Sequence, residues 1–287
     1  MSASVPMSAE RSGKWVALPS SLLMEDRDLR DKTVKLGMVA RAIGIFGVEK
    51  VIIYRDPVEQ TVDDSSLIEE ILRYIETPQY LRRKLYPLKP RLSFAGLLPP
   101  LRIPSHKPNV GMSGLVDGEF REAVVEMSKG VVSADVGVEA PLPFEGTAKI
   151  GSRVTVVVHR SGRELSCEQV ESDAVRGYWG FEVKRQRDLE DLLEDGRIGV
   201  VIGTSRKGEP LAKVWNELSA SLQTQEKKLV VFGAPKRGLF EMFPKELIAA
   251  KFDFMVNTIP DQKTETVRTE EALLATLAVL GVAEQNL

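Results

Sequence analysis

The sequence predicts an α/β protein, a parallel-sheet domain interrupted by a small β-barrel module. Three observations predict it. An apolar strand, an amphipathic helix and a second apolar strand follow one another over residues 15–54. Short β-like runs punctuated by glycines fill residues 119–183. Strands and helices alternate again from residue 188 onward, and three of those strands end in glycine or asparagine loops. Alternation of strand and helix is the pattern of a parallel sheet, and clustered short strands with glycine turns are the pattern of a small barrel. The division implied is 1–92 for the N-terminal part of the α/β domain, 93–184 for the inserted β module, and 185–287 for the C-terminal part.

Each element has a local reason. Residues 15–18 read as a short strand. Leu29, Val34, Leu36, Val39, Ala42, Ile43 and Phe46 approximate helical spacing, and Gly47 is a helix stop. Residues 51–54 (VIIY) are a fully apolar strand. Asp64 and Ser65 offer capping groups for a helix through Ile75, which Thr77-Pro78 ends. Five prolines from Pro87 to Pro104 make a long helix there improbable. The β-like runs are 123–125, 130–132, 153–158 and 178–183, and they suggest a partly open barrel. Then come a helix over 188–195, a strand over 198–202, a helix over 211–222, strands over 228–232 and 254–257, and a helix over 269–280. In that last helix Leu273, Leu277 and Leu280 share one face.

Composition narrows the function classes. The 287 residues are 43% hydrophobic and 28% charged, with a net charge of −2. No apolar run is long enough to span a bilayer, and the first residues lack the apolar core of a secretory signal. One cysteine, Cys167, excludes an intramolecular disulfide and a cysteine-based zinc site, and only His106 and His159 accompany it. The expectation is a cytoplasmic protein without a metal. The net charge does not announce a nucleic-acid partner, but its distribution does. From Tyr80 to Lys107 there are seven basic residues and no acidic one, including Arg82, Arg83, Lys84, Lys89 and Arg91, with Tyr80, Tyr86 and Phe94 among them. Such a strip fits an RNA backbone with rings for stacking. It equally fits a solvated, proline-rich connector.

Three strand ends are candidate ligand loops: Gly203-Thr204-Ser205, Gly233-Ala234-Pro235 and Asn257-Thr258-Ile259-Pro260. Ligands of open α/β sheets gather at the carboxyl ends of the strands, and glycine lets the backbone approach them. None of the loops matches a dinucleotide fingerprint or a P-loop, which disfavours a kinase or an ordinary dehydrogenase.

The stretch Gly233-Ala234-Pro235-Lys236-Arg237-Gly238-Leu239, followed by Val256-Asn257-Thr258-Ile259-Pro260 and Thr266-Val267-Arg268-Thr269-Glu270-Glu271-Ala272, resembles the cofactor end of SPOUT methyltransferases. Within them it is similar to the archaeal and eukaryotic branch of RNA uridine N3 methyltransferases. Ala17 to Ser21, Arg41 to Phe46, Pro78 to Arg82, Phe94 to Leu98, Tyr178 to Gly180 and Ile202 to Ser205 extend the resemblance over nearly the whole chain. It implies a trefoil knot at the C-terminal end, a homodimer, an OB-like RNA-binding insert and S-adenosylmethionine as cofactor. Phe232, Gly233, Ala234 and Gly238 would form the first cofactor loop. Asn257, Thr258 and Ile259 would form the second. Val267, Thr269 and Ala272 would close over the cofactor, with Thr204 at the rim. Arg268 and Glu271 are the catalytic candidates, the first for negative charge on the uracil oxygens and the second as a base, with Asp261 or bulk water as the alternatives for the proton.

Together these readings give an S-adenosylmethionine-dependent methyltransferase acting on a uridine N3 of RNA, in particular ribosomal RNA. The rival is a non-catalytic RNA-binding or ribosome-assembly factor that keeps the fold. A third reading is methylation of a protein. His159 reads as an exposed strand end, Cys167 as a small core residue, and Trp179 and Phe181 as packing for the β module.

Overall fold

The computed structural model describes residues 13–59 and 63–285. The first residues, read above for the absence of a secretory signal, lie outside the described residues up to residue 12. The chain forms two compact units. The larger takes Ser12–Ile75, Arg91–Pro100 and Phe181–Leu287, and the smaller takes Glu76–Pro90 and Leu101–Gly180 besides the chain start. Helix 79–85 and the proline-rich residues 101–119 therefore group with the β module, while 91–100 returns to the α/β unit.

In chain order the elements are β1 (Lys14–Pro19), α1 (Leu29–Ile45), β2 (Lys50–Tyr54), α2 (Ser65–Glu76) and α3 (Gln79–Leu85). The module follows with β3 (Phe120–Ser128), β4 (Val131–Asp135), β5 (Leu142–Glu145), β6 (Arg153–Ser161) and β7 (Glu164–Val170). Then come β8 (Glu182–Gln186), α4 (Leu189–Leu193), β9 (Val200–Pro210), α5 (Leu211–Thr224), β10 (Lys228–Val231), α6 (Leu239–Met242), α7 (Lys245–Lys251), β11 (Phe254–Asn257) and α8 (Thr269–Ala283).

The larger unit is built on a six-stranded sheet, ordered β11-β9-β10-β1-β2-β8, and every pairing is parallel. β1 is buried along its whole length, as a central strand covered on both faces must be. Ala17, Ile52, Tyr54, Leu229 and Val231 share one core cluster with residues of α4, α6 and α7. α1 begins where the sequence predicts: the Asp28 carboxylate accepts the Asp31 N–H at 2.8 Å. Gly47, at φ 64°, ends it. The edge strand β8 is a correction. Residues 178–183 read as part of the β module, yet Glu182–Gln186 pairs in parallel with β2. Trp179 and Phe181, both buried, precede the strand, and their aromatic alternation drew the boundary too late.

In the smaller unit β3 to β7 pair in the cyclic order β3-β4-β5-β7-β6, and β6 pairs back to β3. The expected partly open barrel is thus closed. β5 and β7 run parallel and the other pairs antiparallel. β3 turns into β4 through Lys129 and Gly130, both at positive φ (51° and 80°), the geometry of a tight two-residue hairpin. The barrel core is aliphatic, with Leu115, Val136, Leu142, Val156, Val158 and Cys167. β5 and β7 have no counterpart among the sequence-based strands, because Leu142–Glu145 and Glu164–Val170 are too polar to stand out.

A buried ionic cluster ties this unit together. Arg153 donates to Glu122 at 2.6 Å and to both carboxylate oxygens of Glu76 at 2.6 and 3.0 Å. Glu122 also accepts from the Thr155 hydroxyl at 2.8 Å and the Trp179 indole at 2.6 Å. Burial pushes the Glu76 carboxyl up despite Arg153 beside it.

Candidate functional site

A cleft of about 280 Å³ opens at the carboxyl ends of β9, β10 and β11. Three loops build it. The first leaves β9. Met255 pairs with Gly203, the next residue Val256 pairs with Glu209, and residues 204–208 bulge out of the ladder between them. Gly208 must be glycine here, since a Cβ would lie 2.7 Å from the backbone carbon of Val256.

The second loop follows β10. Phe232 is buried, and its carbonyl accepts the buried Tyr54 hydroxyl at 2.7 Å. Gly233 comes next. A Cβ there would sit 3.0 Å from Arg237 O, Gly238 Cα and Leu239 N, so a side chain would force the loop to give by a few tenths of an ångström. Arg237 N–H donates to Ala234 O at 3.2 Å, which completes the turn. Gly238 N–H donates to the Glu241 carboxylate at 2.6 Å, and this starts α6. The Lys207 ammonium pairs with Glu241 and holds its carboxyl below the usual range.

The third loop follows β11. The Asn257 side chain accepts Ile259 N–H at 3.0 Å and donates to Arg206 O at 3.2 Å, which pins the third loop to the first. Arg206 returns the link by donating to Glu265 O at 2.9 Å. The Thr258 and Thr276 hydroxyls meet at 2.7 Å, fixing the loop to α8.

Thr204, Phe232, Gly233, Ala234, Gly238, Asn257, Thr258, Ile259, Val267, Thr269 and Ala272 all line this one cleft. Arg268 and Glu271 do not; both are exposed at the start of α8. The Glu271 carboxylate accepts Arg268 N–H at 2.9 Å and so serves as a helix cap. Sequence reasoning missed Arg237 and Thr276. Thr276 lies one helical turn beyond Ala272, a spacing that would have found it. Arg237 lines the cleft while its guanidinium approaches Glu59 at 3.3 Å and the buried Asp56 at 3.8 Å. Asp56 in turn accepts the Ser21 hydroxyl at 2.6 Å. No local pattern joins residues so far apart in the chain.

The basic strip is divided between the two units and is partly paired. Arg82 donates to Thr77 O at 2.8 Å, and Lys84 pairs with Glu126 and, at 2.6 Å, with Asp135. Arg91 belongs to the larger unit and donates to Ser66 at 3.0 Å. Arg83 and Lys89 are exposed. Tyr80 is not a free stacking ring. Its hydroxyl donates to Glu122 O at 2.8 Å, and Gly137 packs so closely that a Cβ there would come within 2.5 Å of the ring.

His159 is an exposed strand residue beside Glu168. Cys167 is buried, and burial pushes its thiol up to about 12, far from a nucleophile's range. Among the described residues no group of three or more His, Cys, Asp or Glu is placed to hold a metal ion. No helix among them is long and apolar enough to cross a membrane.

Comparison with known proteins agrees with this geometry. Residues 14–280 match the family model described as "Putative RNA methyltransferase". An uncharacterized protein of Halobacterium salinarum is 36% identical, with 94% of this chain and 99% of that protein covered. The human protein named 28S rRNA (uridine-N(3))-methyltransferase is 32% identical, with 92% of this chain and 77% of the relative covered. The Drosophila melanogaster protein of the same name is 29% identical, with 92% and 61% covered. The resemblance carried by the three loops thus holds over the whole α/β framework, and the chain belongs to this family of RNA methyltransferases.

Proposed function

We propose that this chain transfers a methyl group from S-adenosylmethionine to N3 of a uridine in ribosomal RNA. The observation that carries the proposal is the gathering of eleven residues, expected from sequence to hold that cofactor, around a single cleft. The residues fit the group. Gly233 lets the second loop fold back closely on residues 237–239, which sets the wall of the cleft. Ile259, Val267 and Ala272 offer apolar surface to an adenine, and loop backbone offers the polar partners. When bound, the cofactor supplies an electrophilic methyl group. The names carried by the human and Drosophila relatives support uridine N3 of large-subunit RNA as the acceptor.

Methylation at N3 requires that the N3–H proton leave, with negative charge spreading onto the uracil oxygens. Arg268, exposed and next in sequence to the cleft residue Val267, is the residue we assign to that charge. Glu271 stays with the helix cap, so the proton passes to water. The closed five-stranded insert supports reading it as an OB-like module with a role in RNA binding. A trefoil knot formed by the three loops, a homodimer and a cytoplasmic setting complete the reading. One specific observation favours the non-catalytic rival: Glu241, one of two carboxylates lining the cleft, is neutralised by Lys207.

The decisive experiment maps modified nucleosides by mass spectrometry in ribosomal RNA from cells with and without this chain. One N3-methyluridine should disappear with the chain. An unchanged profile, with S-adenosylmethionine binding intact by calorimetry, would favour the assembly factor.

A further inference from the structure

The three cleft loops carry a charge that their cofactor role does not use. Residues 204–208, 233–238 and 258–268 contain six basic residues and two acidic ones, a net charge of +4 on a chain of net −2. By contrast, the smaller unit carries thirteen basic and twelve acidic residues over 76–90 and 101–180, a net charge of +1. Many cations of this protein are neutralised: Lys32, Lys35, Lys50, Lys84 and Lys251, for example, each meet a carboxylate. At the cleft, Lys207 and Arg237 are paired in the same way. Arg206, Lys236 and Lys263 make no ion pair among the described residues, and all three are exposed. One stands on each loop. Arg206 donates one N–H to Glu265 O, which fixes the stem of its guanidinium and leaves other donors toward solvent.

Unneutralised cations held on three loops around one cleft repel each other and serve no packing role. They suit a partner with repeated negative charge. We propose that Arg206, Lys236 and Lys263 form a phosphate grip at the cleft mouth for single-stranded RNA flanking the methylated base. This deepens the reading of the chain as a uridine N3 methyltransferase and rests on it. N3 lies on the pairing edge of uracil, so the acceptor must be unpaired, and its flanking phosphates then pass the mouth rather than lying in a helix. The grip would therefore carry more of the electrostatic affinity than the basic strip, whose charges are partly spent on Glu126, Asp135 and Thr77 O.

Two variants of equal charge change test this in the full chain. One is Arg206→Gln/Lys236→Gln/Lys263→Gln, the other Arg83→Gln/Lys89→Gln/Arg91→Gln. Fluorescence anisotropy with a single-stranded uridine-containing oligoribonucleotide is read across a salt series. Each lost phosphate contact lowers the log–log salt slope by about 0.7, so the cleft variant should lose roughly 2 units of slope and about 100-fold in affinity at 0.1 M salt. The strip variant should lose less than one contact's worth. Calorimetry with S-adenosylhomocysteine reads the cleft; because Arg206→Gln also removes the link to Glu265 O, a Lys236→Gln/Lys263→Gln variant that keeps this link should retain wild-type affinity for it while losing about 1.4 units of slope. A cleft variant with unaltered slope, while wild type methylates RNA, overturns the grip alone. A strip variant with the larger slope loss does the same. Wild type that neither binds nor methylates RNA overturns the grip and the proposed function together.

Discussion

Replacing Arg153 by glutamine is expected to destabilise the smaller unit strongly and in a pH-dependent way. Arg153 makes three hydrogen bonds to two carboxylates, and the Glu76 and Glu122 side chains are only 10% and 6% exposed. Removing the cation leaves both carboxylates buried with their mutual repulsion uncancelled. Breaking a buried pair on one side costs about 3–5 kcal/mol. The sign of the pH effect follows from Glu76, whose carboxyl is already raised by burial and would lose the cation that opposes the rise. In the variant the folded state holds a proton that the unfolded state has released, so stability falls as pH rises through the folded value. The deficit should be largest near pH 8 and shrink toward pH 5. Urea unfolding followed by Trp fluorescence at both pH values measures it. A second variant, Arg153→Met/Glu76→Gln/Glu122→Gln, should recover most of the loss because no charge is left buried. A deficit below about 1 kcal/mol, or one equal at both pH values, would refute the reasoning.

Other expectations concern the cleft. Gly233→Ala should weaken S-adenosylmethionine binding about tenfold by calorimetry, because the new Cβ would lie 3.0 Å from three backbone atoms and push the second loop aside. Tyr54→Phe orphans the buried Phe232 carbonyl. It should cost about 1–3 kcal/mol in urea unfolding, with weaker cofactor binding because that carbonyl opens the second loop. Glu271→Ala should cost about 1 kcal/mol of stability through the lost cap and leave the pH profile of methylation unaltered. A lost basic limb in that profile would instead make Glu271 the base.

The cleft was legible because its residues are contiguous loops at strand ends. Glycine, asparagine and proline announce such loops, and β10 and β11 are short apolar runs that stop where the loops begin. Arg237, Asp56 and Tyr54 reach the same place from distant strands, and only the order β10-β1-β2 brings them together. β8 was misplaced because its buried Val183 follows Trp179 and Phe181, which alternate alike although the boundary between the units falls between them. The pairing within the basic strip was hidden for a different reason. Linear charge density does not reveal that Glu126 and Asp135, some forty to fifty residues away, sit against Lys84.

The ladder between β9 and β11 skips from Gly203 to Glu209 while its partner advances one residue. Hydrogen bonding resumes on the far side as though the intervening loop were absent. The sheet and the ligand wall are thus written in separate letters of the same strand. Shortening residues 204–208 should spare the framework and erase one wall of the cleft. A relative could lose its chemistry by that route and still fold, leaving a scaffold able to hold RNA without modifying it.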